Sequence, residues 1–166
     1  MILPEGFMNE AALKGDVLKS QRVRPKAMCI FRQDDHIFVM EGSDPSKNQT
    51  FYRPLGGSIE FGERGHDTVV REMREEADAE VTNVRYMGTL ESIFTYNGQM
   101  GHEIVLLYEG DFADPAMYEK PWVECHEDND TPFRAVWKSL DEFNDVTPLY
   151  PDGLLGLIIS NNYHKE

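Results

Sequence analysis

From Arg22 onward, short runs rich in valine, isoleucine, phenylalanine and tyrosine are set off by turn residues, which is the pattern of a strand-dominated domain. VRPKAMCIFR and HIFVME read as two strands separated by Gln33-Asp34-Asp35, a hairpin. Residues 42–49, GSDPSKNQ, are rich in turn formers and are expected as a surface loop, after which FYRPLGGSIEFGE carries a short strand into a glycine-rich loop. Arg64 to Ala77 lacks proline and favours helix. VTNVRYMGTLESIFTY and HEIVLLYEGDF form two long strands around the turn signal Asn97-Gly98, and Ile104 to Tyr108, apolar on both faces, marks a central strand. DPAMYEK gives a helical turn, PWVECHEDNDTP a strand and loop, and FRAVWKSL another strand; PDGLLGLIIS closes the domain as a short apolar helix that Asp152 is placed to cap. The sum is an α/β (α+β) domain over residues 21–160, with a mixed, largely antiparallel sheet and helices on its faces. Residues 1–20 lack periodicity and are expected as an N-terminal arm, and 161–166 as a C-terminal tail.

The helical interval carries an unusual second stripe. At 100° per residue from Val69, the apolar Val69, Met73, Ala77 and Val70 span about 0° to 100° and should face the sheet. Glu75, Glu72 and Glu76 span about 240° to 340°, with Glu76 at the border and Arg74 pointing away. Three carboxylates at i, i+3 and i+4 repel one another, so a positive partner is expected among them. Glu63 stands one turn ahead of the helix, and Gly56-Gly57 brings backbone to the same place. Oxygen-only donors favour hard cations, Mg²⁺ or Mn²⁺, and such sites bridge to phosphate oxygens.

Composition narrows the partners. The 166 residues suffice for one core, and a formal net charge of −14 excludes general phosphate-neutralising contact with long nucleic acid. There is no apolar run of membrane-spanning length and no secretory pattern at the N-terminus, so a cytoplasmic protein without membrane contact is expected. Cys29 and Cys125 form no ligand cluster and are expected as buried thiols, and the five histidines show no zinc spacing. The arm and the strand edges offer pairing surfaces for a homodimer.

The segment PLGGSIEFGERGHDTVVREMREEADA resembles the Nudix box, with Gly57, Glu63, Arg71, Glu72, Met73, Glu75 and Glu76 in register. The box's closing glycine is Asp78 here, followed by the small Ala79. A left-handed residue ends the helix at that position in the family, and aspartate there costs on the order of 1 kcal/mol. The resemblance implies the MutT-like α/β/α sandwich and hydrolysis of a nucleoside diphosphate linked to a further moiety. It implies metal ligation by Glu72, Glu75, Glu76 and the Gly57 carbonyl, with Arg71 and Glu63 supporting the site.

The general base stays open between the box, with Glu75, and later segments, where Glu127 is the loop candidate and Glu103 the strand candidate. Phe51, Tyr52 and Tyr96 are candidates to stack a ring, and Arg24 and Arg53 to reach phosphates. Tyr96 stands where diadenosine polyphosphate hydrolases of the family tend to carry a tyrosine, and Phe94 replaces the proline that tends to mark ADP-ribose hydrolases; the substrate is left open. The alternative function is a Nudix-like ligand sensor or protein-binding module with weak turnover.

Overall fold

A computed structural model describes residues 21–162. The expected arm over 1–20 lies outside the described residues, as does the expected tail, apart from Asn161 and Asn162 at the end of the last helix. Eight strands form in order: β1 (Val23–Gln33), β2 (His36–Asp44), β3 (Gln49–Arg53), β4 (Leu55–Ser58), β5 (Val81–Tyr96), β6 (Gln99–Phe112), β7 (Trp122–His126) and β8 (Pro132–Ser139). Helix α1 (Gly65–Ala77) stands between β4 and β5, and α2 (Leu154–Asn162) closes the chain.

β1 organises the sheet. Its residues 27–31 are all buried and alternate between two cores. Ala27, Cys29 and Phe31 pack with Val69 and Met73 of α1, while Met28 and Ile30 pack with Leu154 and Ile158 of α2. The sheet is thus covered on both faces, which is the expected α/β/α sandwich. β1 runs parallel to β6 and antiparallel to β4, and the other named strand pairs are antiparallel, so the sheet is mixed and largely antiparallel as its sequence implies. β6 lies between β1 and β5, the central position expected for it.

After the turn at Asp34 and Asp35, β2 pairs with β1 only through Gln33–His36 and Arg32–Ile37, then leaves it to pair with β3 and β8. The sheet therefore parts into two lobes, β4–β1–β6–β5 and β3–β2–β8–β7, and a cavity opens between them.

Two stretches expected as loops, one rich in turn formers and one in glycine, are in part strands. β2 continues through Gly42 to Asp44, and Gly56-Gly57 lies within β4 against Met28 and Ala27. Tertiary contacts override the local turn preference. The Phe51 ring lies over Gly42, where a Cβ would come within 2.4 Å of it, and Phe94 lies over Gly101 in the same way. Asp44, 2% exposed, accepts hydrogen bonds from the Ser46 amide and hydroxyl and from the Asn97 amide. The loop is thereby reduced to a turn over residues 45–48.

α1 ends where the sequence places its stop. Asp78 adopts φ 48°, ψ 41°, the left-handed conformation, and its N–H and that of Ala79 both reach the Met73 carbonyl. Aspartate here carries a conformational cost and a negative charge at a helix C-terminus. Asp78→Gly is expected to stabilise the protein by about 0.5–1 kcal/mol, read as a higher urea midpoint. A lower midpoint would mean that the aspartate contributes more than its backbone costs.

Both cysteines are buried and free. Burial raises both thiols, Cys125 to about 12. Among the described residues, no helix is long and apolar enough to cross a membrane.

Candidate metal and substrate site

The carboxylates of α1 do not simply line a solvent face. The buried stripe is Gly65, Thr68, Val69, Glu72 and Met73, rotated toward the carboxylates relative to the expected one, and Val70 is only half-buried. Glu72 is 3% exposed. Gly57 makes room for it, because a Cβ there would stand 1.9 Å from Glu72 Oε1. Burial raises the Glu72 carboxyl above its ordinary range, with Arg71 opposing the shift. Glu76, half-buried, accepts from the Gly56 amide and is pushed up to about 8, by burial first and the Glu72 charge second. Glu75 is exposed.

Arg71 holds the group together. Its Nε donates to Glu63 Oε1 at 2.8 Å and its Nη2 to Glu63 Oε2 at 3.0 Å, a bidentate pair. Nη1 donates to Glu72 Oε1 at 3.0 Å and Glu75 Oε2 at 3.1 Å, and Nη2 also reaches the Ser58 carbonyl at 3.1 Å. Glu63 accepts further from the Thr68 hydroxyl at 2.7 Å and the Glu60 amide at 3.2 Å. The Arg71 guanidinium, with these donors, lowers the Glu63 carboxyl to about 2. Arg74, as its helical phase implies, turns away and pairs with Glu80.

Asp128, from the β7–β8 turn, completes the cluster. Carboxylate oxygens of Glu72, Glu75 and Asp128 lie within 4.8 Å of one another, and Asp128 is also among the charges that raise Glu76. Sequence reasoning picked the acidic stretch and singled out Glu127 as a candidate base without naming Asp128; the Glu127 backbone closes the turn by pairing with Thr131 and Asp130. In a tight turn neither helical nor strand phase tells which side chain points inward. The donor set fits a hard divalent cation: all-oxygen, carboxylate-rich, and partly withdrawn from water at Glu72 and Glu76.

The cavity between the lobes has a volume of about 440 Å³. Arg24, Arg53, Tyr96, Glu103 and Glu127 all line it. Tyr52 does not: alternation along β3 turns Phe51 into the cavity and Tyr52 into the α2-side core, where its hydroxyl donates to Glu41 at 2.9 Å and Lys138 covers its ring. Phe51 meets Tyr96 and Tyr150 with ring centroids 6.0 and 5.7 Å apart. The sequence reading missed Tyr150 and Lys26. Lys26 follows Arg24 on the same face of β1, and burial lowers its pKa even though Glu103 opposes the shift. Arg53 joins the two regions, because it lines the cavity and its charge opposes the upward shift of Glu76. Carboxylates, then cations, then aromatic rings follow from one region to the next.

Comparison with known proteins gives three results. A family model described as NUDIX domain matches residues 22–153. The NAD-capped RNA hydrolase NudC of Vibrio vulnificus (strain CMCP6) is 34% identical over 68 residues, 41% of this chain and 25% of that protein. Its counterpart in Pseudomonas putida (strain W619) is 34% identical over 74 residues, 45% and 26% respectively. The chain thus spans about a quarter of the length of the curated relatives it matches. Among solved structures, a NUDIX hydrolase from Nitrosomonas europaea aligns with a TM-score of 0.59 at 20% identity, covering 87% of this chain and 90% of that one. The MutT NUDIX hydrolase from Burkholderia pseudomallei aligns with a TM-score of 0.58 at 18% identity, covering 83% and 98%. At such identities the solved structures share the fold.

Proposed function

The chain belongs to the Nudix family, and on that premise we propose that it is a divalent-cation-dependent hydrolase of the diphosphate linkage between a nucleoside and a further moiety. The observation that carries the reading is the cluster of Glu72, Glu75 and Asp128 beside Glu76 and the Gly57 backbone, adjoining a cavity that holds cations and rings. Glu72, Glu75, Glu76 and Asp128, with the Gly57 carbonyl, would hold Mg²⁺ or Mn²⁺. A cation there supplies charge that neutralises the diphosphate and acidifies water. Arg71 and Glu63 fix the carboxylates, and Lys26 and Arg53 face the anionic part of the substrate. The ring of the substrate stacks among Phe51, Tyr96 and Tyr150. Glu75, exposed and within the cluster, stays the candidate to take a proton from the attacking water, and Glu127 is the candidate from outside the box.

The sensor alternative rested on Asp78, which replaces the box glycine without removing a carboxylate and still ends the helix in the left-handed conformation. The NudC relatives act on NAD-capped RNA by their names. With a net charge of −14, this chain is better suited to the small dinucleotide-like end of such a molecule than to a long RNA. The reading is tested by chromatographic product analysis with Mg²⁺ against nucleotide sugars, ADP-ribose, dinucleoside polyphosphates, NAD and nucleoside triphosphates. Cleavage within the diphosphate, abolished by EDTA, is the expected result. Metal-independent cleavage, or none across the panel, would remove it.

A further inference from the structure

The cavity floor carries a polar row that the diphosphate chemistry leaves unused. Register sets Ser92 of β5 beside Glu103 of β6, and Glu103 beside Arg24 of β1. Residues paired across a ladder face the same side of the sheet, and all three line the cavity. Glu103 is 5% exposed and Ser92 8%. A carboxylate so withdrawn from water needs compensation, which Arg24 gives to one oxygen: Nη2 stands 2.9 Å from Oε1. Glu103 Oε2 and the Ser92 hydroxyl take no hydrogen-bond partner from the described residues, yet neither is sealed in. A carboxylate fixed by a guanidinium, with one oxygen uncommitted toward a cavity, is an acceptor for a donor that a ligand brings.

Its neighbours say which part of the ligand. Phe94 and Tyr96 follow Ser92 on the cavity face of β5, and the Phe51, Tyr96 and Tyr150 rings stand close by. Along β1, Arg24 stands beside Glu103, whereas Lys26 and Ala27 stand opposite Ser58 and Gly57 of β4, the strand that abuts Glu72, so the floor and the carboxylate cluster lie at successive positions along β1.

Resting on the diphosphohydrolase reading, we propose that Glu103, held by Arg24 and seconded by Ser92, is the specificity-determining residue for the nucleoside moiety of the substrate. It selects a moiety with a hydrogen-bond donor, a ring amine or a sugar hydroxyl, over one without. This gives Glu103 a role in reading substrate rather than in activating water.

The test is calorimetric binding of ADP-ribose in EDTA, beside two analogues, one with purine riboside in place of adenosine and one with 2′-deoxyadenosine. Wild type should favour ADP-ribose about tenfold or more over one analogue, and that analogue identifies the donor. Glu103→Gln should bind ADP-ribose about tenfold more weakly and discriminate no longer. With Mg²⁺, its KM should rise while kcat and the pH–rate profile hold. Ser92→Ala should lose part of the same discrimination, which keeps the test alive if Glu103→Gln folds poorly. The proposal is overturned if wild type binds the three compounds alike, weakly or tightly. It is also overturned if Glu103→Gln loses kcat and a limb of the pH profile at unchanged KM, which would make Glu103 a general base. Discriminating binding without Mg²⁺-dependent cleavage would instead remove the hydrolase reading and leave this one standing.

Discussion

Glu76→Gln is expected to lower kcat on the order of 10³-fold while leaving the fold intact. Glutamine keeps the shape and the acceptor for the Gly56 amide, but removes a charge that the site is built to offer to a cation. The same substitution changes how stability depends on pH. The Glu76 carboxyl sits at about 8 in the folded protein against an ordinary 4.5, because burial and the Glu72 charge disfavour its ionised form. Between those values the folded state retains a proton that the unfolded chain has released. Stability in metal-free buffer therefore falls as pH rises from about 4.5 to about 8. In Glu76→Gln that contribution to the slope should vanish. Mg²⁺ should restore wild-type stability at pH near the upper end of the window, since a ligand that binds only the folded state stabilises it. Urea melts at the two ends of the window, with and without Mg²⁺, check each statement. Near wild-type turnover in the variant would sink the metal assignment.

Arg71→Ala should be the most damaging substitution for the framework, at about 2–4 kcal/mol and with kcat/KM down about 100-fold. One guanidinium satisfies Glu63, Glu72 and Glu75, of which Glu63 and Glu72 have side chains only 16% and 4% exposed. Its removal leaves those carboxylates facing one another. Lysine should rescue poorly, because a point charge cannot reproduce the paired Nε and Nη2 contacts to Glu63. Here the pH effect has the opposite sign to that of Glu76. Arg71 holds the Glu63 carboxyl at about 2, below its ordinary 4.5, so the pair's contribution is present above 4.5 and is lost as pH falls toward 2. Acid denaturation of Arg71→Ala should begin at a higher pH than that of wild type. An unchanged acid midpoint and unchanged stability would reduce the network to incidental surface pairing.

Local periodicity made the box helix legible. Glu72, Glu75 and Glu76 share a face because 3.6 residues complete a turn, and no distant contact is needed to know it. The hairpins at Gln33–Asp35 and Asn97-Gly98 were legible for the same reason. What the sequence hid depends on register between strands far apart along the chain. Ser92 and Glu103 share the Asn97-Gly98 hairpin, but nothing near them in sequence announces that Arg24 of β1 stands beside Glu103. Phe51 and Tyr52 both stand as stacking candidates in sequence, although neighbours on a strand face opposite ways, and only the fold tells which of them enters the cavity. Gly42 and Asp44 have turn chemistry, and only the Phe51 ring and the Asn97 amide, both supplied by other segments, make them strand. Asp128 came to light for a related reason, since the direction of a turn side chain follows from the hairpin that carries it.

The parting of β1 from β2 has a consequence for how such a protein changes over time. Most carboxylates that would hold the cation come from one helix, while the surfaces that would read the rest of the substrate come from β1, β3, β5 and β6. Substitutions that alter preference are thus encoded apart from those that sustain turnover. A variant library confined to Phe51, Ser92, Phe94, Tyr96 and Glu103 would explore new substrates at constant chemistry, and the two glycines beneath Phe51 and Phe94 mark where that exploration must stop.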